Sequence, residues 1–177
     1  TAIADGRIEL VGENKAKCYS SSKGKFYEIE YDPETDSIMS NDNTAYYTDA
    51  ISYLMIALLM LKGKITYEPK LLDMLKGIYW KDIDQKFKND YDKAIEFVLA
   101  DLKSRGVNID FIRTEIAKIY EVASNLQLNY LGEKIKPPVA YWLANLYRAE
   151  AAKVWYGIPS EIALALSLNT VFSVNLK

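Results

Sequence analysis

Histidine is absent from all 177 positions of the chain. Its absence removes Ser-His-Asp and Cys-His catalysis, zinc held by imidazole, and the only side chain whose unperturbed pKa lies near neutrality. Cysteine occurs once, at Cys18. No disulfide can close within such a chain, and a reducing interior, the cytoplasm, is the expected home. A lone thiol is expected as a small core residue rather than a nucleophile. Arginine is scarce as well. Only Arg7, Arg105, Arg113 and Arg148 carry the planar fork that grips phosphate bidentately, and the other 18 of the 22 basic residues are lysine.

The eight glycines form neither G-x-x-x-x-G-K-[ST] nor G-x-G-x-x-G, so nucleotide binding through either fingerprint is excluded. "SSSKGK" (20–25) leads into a strand pattern rather than a helix, which makes a poor phosphate cradle. No apolar run marks the first 20 residues, so no signal peptide is expected. The longest apolar stretch, Ala50 to Leu61, is broken only by Ser52. Its rise of about 18 Å falls short of the roughly 30 Å hydrocarbon core, so no membrane partner is expected. A helix apolar on every side but too short to span reads as the centre of a bundle. Few Gln and one Cys beside abundant Lys, Glu, Ile and Tyr match a thermophilic composition.

What is present is enough apolar matter for a core. Half the residues are hydrophobic, 26% are charged, and the net charge is −2. That balance fits one folded domain, neither a disordered polyelectrolyte nor a basic nucleic-acid binder. "RIELV" (7–11), "AKCYS" (16–20) and "FYEIEY" (26–31) read as strands; "DPETD" is a turn, and "SIMS" (37–40) adds a short fourth strand. From Thr44 the period turns helical. Helices are expected over 44–62, 69–78, 82–106, about 108–126, 139–156 and 161–168, with 131–138 a connector and 170–177 a strand returning to the sheet. Ile83, Phe87, Tyr91, Ala94, Ile95, Val98 and Leu102 form one apolar stripe, closed by Gly106 as a left-handed cap. Ile112, Ile116, Ile119, Ala123 and Leu126 form the next. The expected class is α+β: a small antiparallel β-meander of three or four strands (1–43), then a predominantly helical bundle of about six helices (44–177), packed as one compact unit.

Four lysines lie among the aromatics of residues 14–31, and parity decides what they can do. Side chains alternate across a strand. Tyr27, Ile29 and Tyr31 put the odd face of the third strand inward, whereas Ala16 and Cys18 put the even face of the second inward. Both faces meet one core only if paired residue numbers add to an odd value, and a loop from Ser20 to Lys25 makes it 45. Tyr19 then sits beside Phe26, Lys17 beside Glu28, and Lys15 beside Glu30. Each cross-strand ion pair contributes roughly 0.2–1 kcal/mol and largely neutralises its lysine toward phosphate. Lys23 and Lys25 are left in the loop, next to Tyr19 and Phe26, as a small platform for single-stranded nucleic acid.

The remaining constellations point away from chemistry. Asp82, Asp84, Asp90 and Asp92 fall in D-x-D pairs, which diverge by about 200° on a helix and so do not converge on a metal. Neither metal nor cofactor is expected. Trp80 stands at a helix-to-helix corner, where it closes a core or anchors a partner. Tyr141, Trp142, Tyr147, Trp155 and Tyr156 crowd one expected helix with more aromatic surface than a single stripe can bury, as interface anchors do. The leading expectation is a non-catalytic protein–protein interaction module, a subunit of a larger assembly or a homo-oligomer. The alternative is a nucleic-acid-associated subunit using Tyr19, Lys23, Lys25 and Phe26. A small enzyme using lysine or carboxylate chemistry is the third, and it requires a perturbed acid or amine in a pocket.

Overall fold

Alternation at the start of the chain becomes a sheet whose inner face is small and apolar. The structure is a computed structural model that describes residues 1–21 and 24–138. Strands β1 (Ile8–Leu10), β2 (Lys15–Tyr19), β3 (Phe26–Asp32) and β4 (Ser37–Ser40) run antiparallel in chain order. Tyr19 pairs with Phe26, Lys17 with Glu28, and Lys15 with Glu30, the register that parity requires. Ala16, Cys18, Tyr27, Ile29 and Tyr31 all point inward and are buried.

The turn from β3 to β4 is closed by side chains. Asp32 accepts from the Glu34 N–H at 3.0 Å and from the Thr35 hydroxyl at 2.6 Å, the local bonding that makes aspartate a turn residue. Asp36 follows in the left-handed region at φ 47°. The buried Tyr31 hydroxyl donates to Asp36 at 2.6 Å, and Lys64 Nζ donates to it at 2.6 Å. One carboxylate thus ties the third strand to the segment after the second helix.

Six helices follow among the described residues: α1 (Asn43–Thr48), α2 (Tyr53–Leu61), α3 (Pro69–Met74), α4 (Trp80–Lys86), α5 (Tyr91–Ser104) and α6 (Ile109–Asn125). The fold is therefore α+β, as composition and periodicity imply. Two expected helices are each divided. The stretch 44–62 breaks at Asp49, at φ 53°, and restarts where the Ser52 hydroxyl accepts from the Met55 N–H. The stretch 82–106 breaks at Lys88 and Asn89, at φ 53° and 63°, and Asp90 caps the restart by accepting from Lys93 N–H. In both, a capping side chain outcompetes continuation of the helix. The end of α5 behaves as expected: Gly106, at φ 76°, lets its own N–H reach Lys103 O and the Val107 N–H reach Leu102 O.

The all-apolar helix is not the centre of a bundle. α2 lies across the inner face of the sheet, against β3 and β4, and Leu54, Leu58 and Leu59 are fully buried there with Ile29 and Cys18. Ile119 and Ala123 of α6 and Leu126 just beyond it pack onto that same core. A second core gathers Leu71, Ile78, Val98, Leu102 and Ile112 among α3, α5 and α6. The chain returns to the sheet earlier than expected. β5 (Asn129–Tyr130) pairs parallel with β4, through Asn129 N–H to Asp36 O and Leu131 N–H to Ile38 O. The sheet and all six helices belong to one compact unit, Thr1–Pro137. The helices expected at 139–156 and 161–168 and the strand at 170–177 lie outside the described residues.

The Asp36 brace gives a pH dependence of known sign. Hydrogen bonds from Lys64 and then Tyr31 hold the Asp36 carboxyl below its ordinary value of 3.8. The Asp36 contact in turn raises Lys64 above 10.5. A depressed carboxyl contributes stability that is present above its ordinary value and lost as pH falls through the lowered one. Asp36→Asn should flatten the fall of the urea midpoint below about pH 4, although the variant is less stable at neutrality. Parallel acid limbs for the variant and the parent would show that the brace carries no such linkage.

Candidate functional site

The outer face of the sheet is the first candidate. Lys15 Nζ lies 3.0 Å from Glu30 and Lys17 Nζ 3.9 Å from Glu28, with Glu9 opposite Lys17 across the other ladder. The Tyr19 and Phe26 rings touch, with centroids 3.6 Å apart. Lys25 Nζ stands 5.0 Å from the centre of the Tyr27 ring. Lys23 lies outside the described residues. Across β1 to β3 this face sets Glu9, Glu28 and Glu30 against Lys15 and Lys17, an excess of one negative charge. Phosphate backbones are held by the opposite excess. The structure brings Tyr19, Phe26 and Lys25 together at the end of a face whose two strand lysines are paired with carboxylates.

The second candidate is built by helices. α5 and α6 are joined by a short turn at Gly106 and run side by side, with α4 and the end of α3 closing one end of the furrow between them. The furrow is an open groove of 510 Å³. Val98, Leu102 and Ile112 form its floor, and Ile95, Leu99, Ile116 and Tyr120 form its walls. Trp80 closes its end, half-buried against the second core. Arg113 is the only charged residue in the lining. Ile95 is 46% exposed, Ile116 48% and Tyr120 73%.

The two apolar stripes are thus only partly core. Ala94, Val98 and Leu102 of the first stripe are buried, but Tyr91 and Ile95 are exposed. Ile112 and Ala123 of the second are buried, but Ile116 is not. The cause is competition for α6, whose Ile119 and Ala123 side is taken by the sheet core and whose Ile112 side is taken by α5. Phe97, on the far side of α5, has cover of another kind: Lys86 Nζ sits 4.0 Å from its ring centre.

Trp80 also borders a polar cavity of 550 Å³ on its other side, with Arg7, Tyr53, Lys81, Gln85 and Asn89. Arg7 is used structurally there, donating to Tyr19 O at 2.9 Å and to Asp5 at 3.4 Å. Catalysis by lysine or carboxylate needs an amine pKa lowered or an acid pKa raised. The resolved lysine and carboxylate side chains shift the other way, whereas desolvation lowers the amine of Thr1, which also lines this cavity. Hydrogen bonds lower Asp32, Asp36 and Asp90, and carboxylate partners raise Lys64, Lys93 and Lys118. Desolvation pushes the buried Cys18 thiol up to about 11, so it is protonated and unreactive at neutral pH. Among the described residues no three of His, Cys, Asp and Glu gather to hold a metal ion. No described helix is long and apolar enough to cross a membrane.

Of the residues singled out as partner anchors, Trp80 lies on the groove, while Tyr141, Trp142, Tyr147, Trp155 and Tyr156 lie outside the described residues. The wall residues Ile95, Ile116 and Tyr120 were not distinguishable from core by period. The only signal was that each stripe is wider than one contact can cover.

The state of Cys18 is directly testable. Native protein should react with a thiol reagent at neutral pH only as fast as it unfolds, and urea should accelerate labelling in step with unfolding. Rapid stoichiometric labelling of folded protein would contradict the burial. Over residues 1–129 the chain matches the family described as uncharacterised conserved protein UCP014422. Comparison with curated proteins and with solved structures returns no match.

Proposed function

We propose for this chain, which belongs to that family, the role of a non-catalytic protein–protein interaction module: a subunit of a larger assembly or of a homo-oligomer. The groove between α5 and α6 carries the proposal. Burying an Ile side chain is worth roughly 1.5–3 kcal/mol, and Ile95 and Ile116, with Tyr120 beside them, are left largely uncovered among the described residues. Contiguous apolar surface rimmed by polar side chains is the usual mark of a binding face. Arg113 stands on the rim of this groove, and Glu96, Lys103 and Asp110 line the adjoining cleft. The directions of the resolved lysine and carboxylate shifts add support, since they favour charged, structural side chains over reactive ones. The buried, protonated thiol suits a cytoplasmic setting.

A second reading, a nucleic-acid-associated subunit, rests on the Tyr19–Phe26 ring pair beside Lys25. It requires Lys23 as well and works against the local negative excess. It would show as salt-dependent binding to single strands, weakened by Lys25→Glu.

The groove proposal is tested with Ile116→Asp and Tyr120→Glu. Both positions are exposed, so each change should leave the stability of the isolated chain within about 0.5 kcal/mol by urea titration. Each should nevertheless lower the mass of the native species, measured by size-exclusion chromatography with light scattering, or release a stoichiometric partner. Identical mass and partner content for parent and variants at every concentration would refute the assignment of this groove.

A further inference from the structure

We infer that the groove is covered by a second copy of this chain, α6 crossing α6 about a twofold axis. The inference rests on the interaction reading above and adds the identity of the partner. Two rows run along α6 at four-residue spacing, exposed except at the buried Ile112. Ile112, Ile116 and Tyr120 form the apolar row that lines the groove. Arg113, Ala117 and Glu121 form the row beside it. Rows at this spacing are the ridges that interdigitate when two helices pack at about 50°, the commonest crossing in globular proteins.

The second row is complementary to itself. Arg113 and Glu121 are both exposed, and neither has an ion-pair partner among the described residues. Glu96 and Asp110 line the adjoining cleft beside Arg113 without reaching it, and the nearby Lys118 is engaged by Glu115 at 2.5 Å. Ala117 lies midway between the two unpaired charges. A twofold axis through it sets each Arg113 beside the partner's Glu121, forming two equivalent ion pairs with one operation. Such an interface is isologous, each patch meeting a copy of itself.

The centre of the row suits the crossing. Ala117 offers only a methyl group where two backbones must approach to about 8–10 Å. On the groove side, Ile116 and Tyr120 of each copy enter the furrow of the other, covering the walls that the described residues leave open. An unrelated partner could also cover an apolar furrow, but it would not require opposite unpaired charges symmetric about a small residue on this same helix.

The test uses charge reversal in the full chain, read by sedimentation equilibrium. The parent should be dimeric at high micromolar concentration. Arg113→Glu and Glu121→Arg each place like charges together twice and should weaken the dimer by about tenfold or more. An equimolar mixture of the two single variants should restore association as a mixed dimer, and the double variant should restore it alone. Circular dichroism melts, expected to be unchanged at these exposed sites, separate the effect from misfolding. A monomeric parent overturns the inference. A dimer that tolerates both single changes also overturns it, because the contact then lies elsewhere. Either result leaves the broader groove reading to stand or fall on Ile116→Asp and partner retention. If Ile116→Asp abolishes association while the charge variants do not, the groove binds but the twofold arrangement is wrong.

Discussion

A helix with no polar side has to be covered all the way round, and α2 imposes that demand on the rest of the chain. Its lower side is covered by the sheet, which explains why β2 and β3 present only Ala16, Cys18, Tyr27, Ile29 and Tyr31 inward. Its remaining cover includes Ile119 and Ala123 of α6 and Leu126 just beyond it. The helix is anchored at its N-terminus by the Ser52 hydroxyl, while the segment after it is held by Lys64 on Asp36. The Asp36 backbone carbonyl then receives Asn129 of the returning strand. One carboxylate and its peptide thus join a turn, the α2 exit and the last strand.

Meeting that demand uses up α6. A helix offers about three directions of contact, and two are spent on the sheet core and on α5. The third, through Ile116, Ala117 and Tyr120, is left with an open furrow. The exposed apolar groove is thus a by-product of how the first core is closed. A fold that hides α2 by means of α6 leaves this side of α6 short of cover among the described residues. The resolved lysine and carboxylate side chains are held in their charged forms, and the thiol is held neutral.

Much of this architecture can be read from residue order. The hairpin register followed from the parity of six side chains, because a slip of one residue would turn Cys18 or Ile29 out to water. The cap at Gly106 and the start at Pro69 were equally plain. The two interrupted helices were readable only in part: Ser52 and Asp90 announce helix starts, but an apolar stripe that runs through them hides the break. The two-residue strand Asn129–Tyr130 has no period to detect. The groove was least visible of all. Periodicity says that Ile95 and Ile116 want cover, but what covers them is a property of packing. That Arg113 and Glu121 have no ion-pair partner among the described residues is likewise a fact of three-dimensional arrangement rather than of spacing.

The central claim is that α6 keeps one apolar side for another chain, and footprinting across concentration addresses it most directly. Carbene labelling of the full chain, mapped by mass spectrometry, would be compared between dilute and concentrated samples. Protection that grows with concentration and concentrates on Ile95, Ile116 and Tyr120 is the predicted result. Labelling of those three residues that stays high and constant, or protection that falls instead on the outer face of the sheet, would contradict the account.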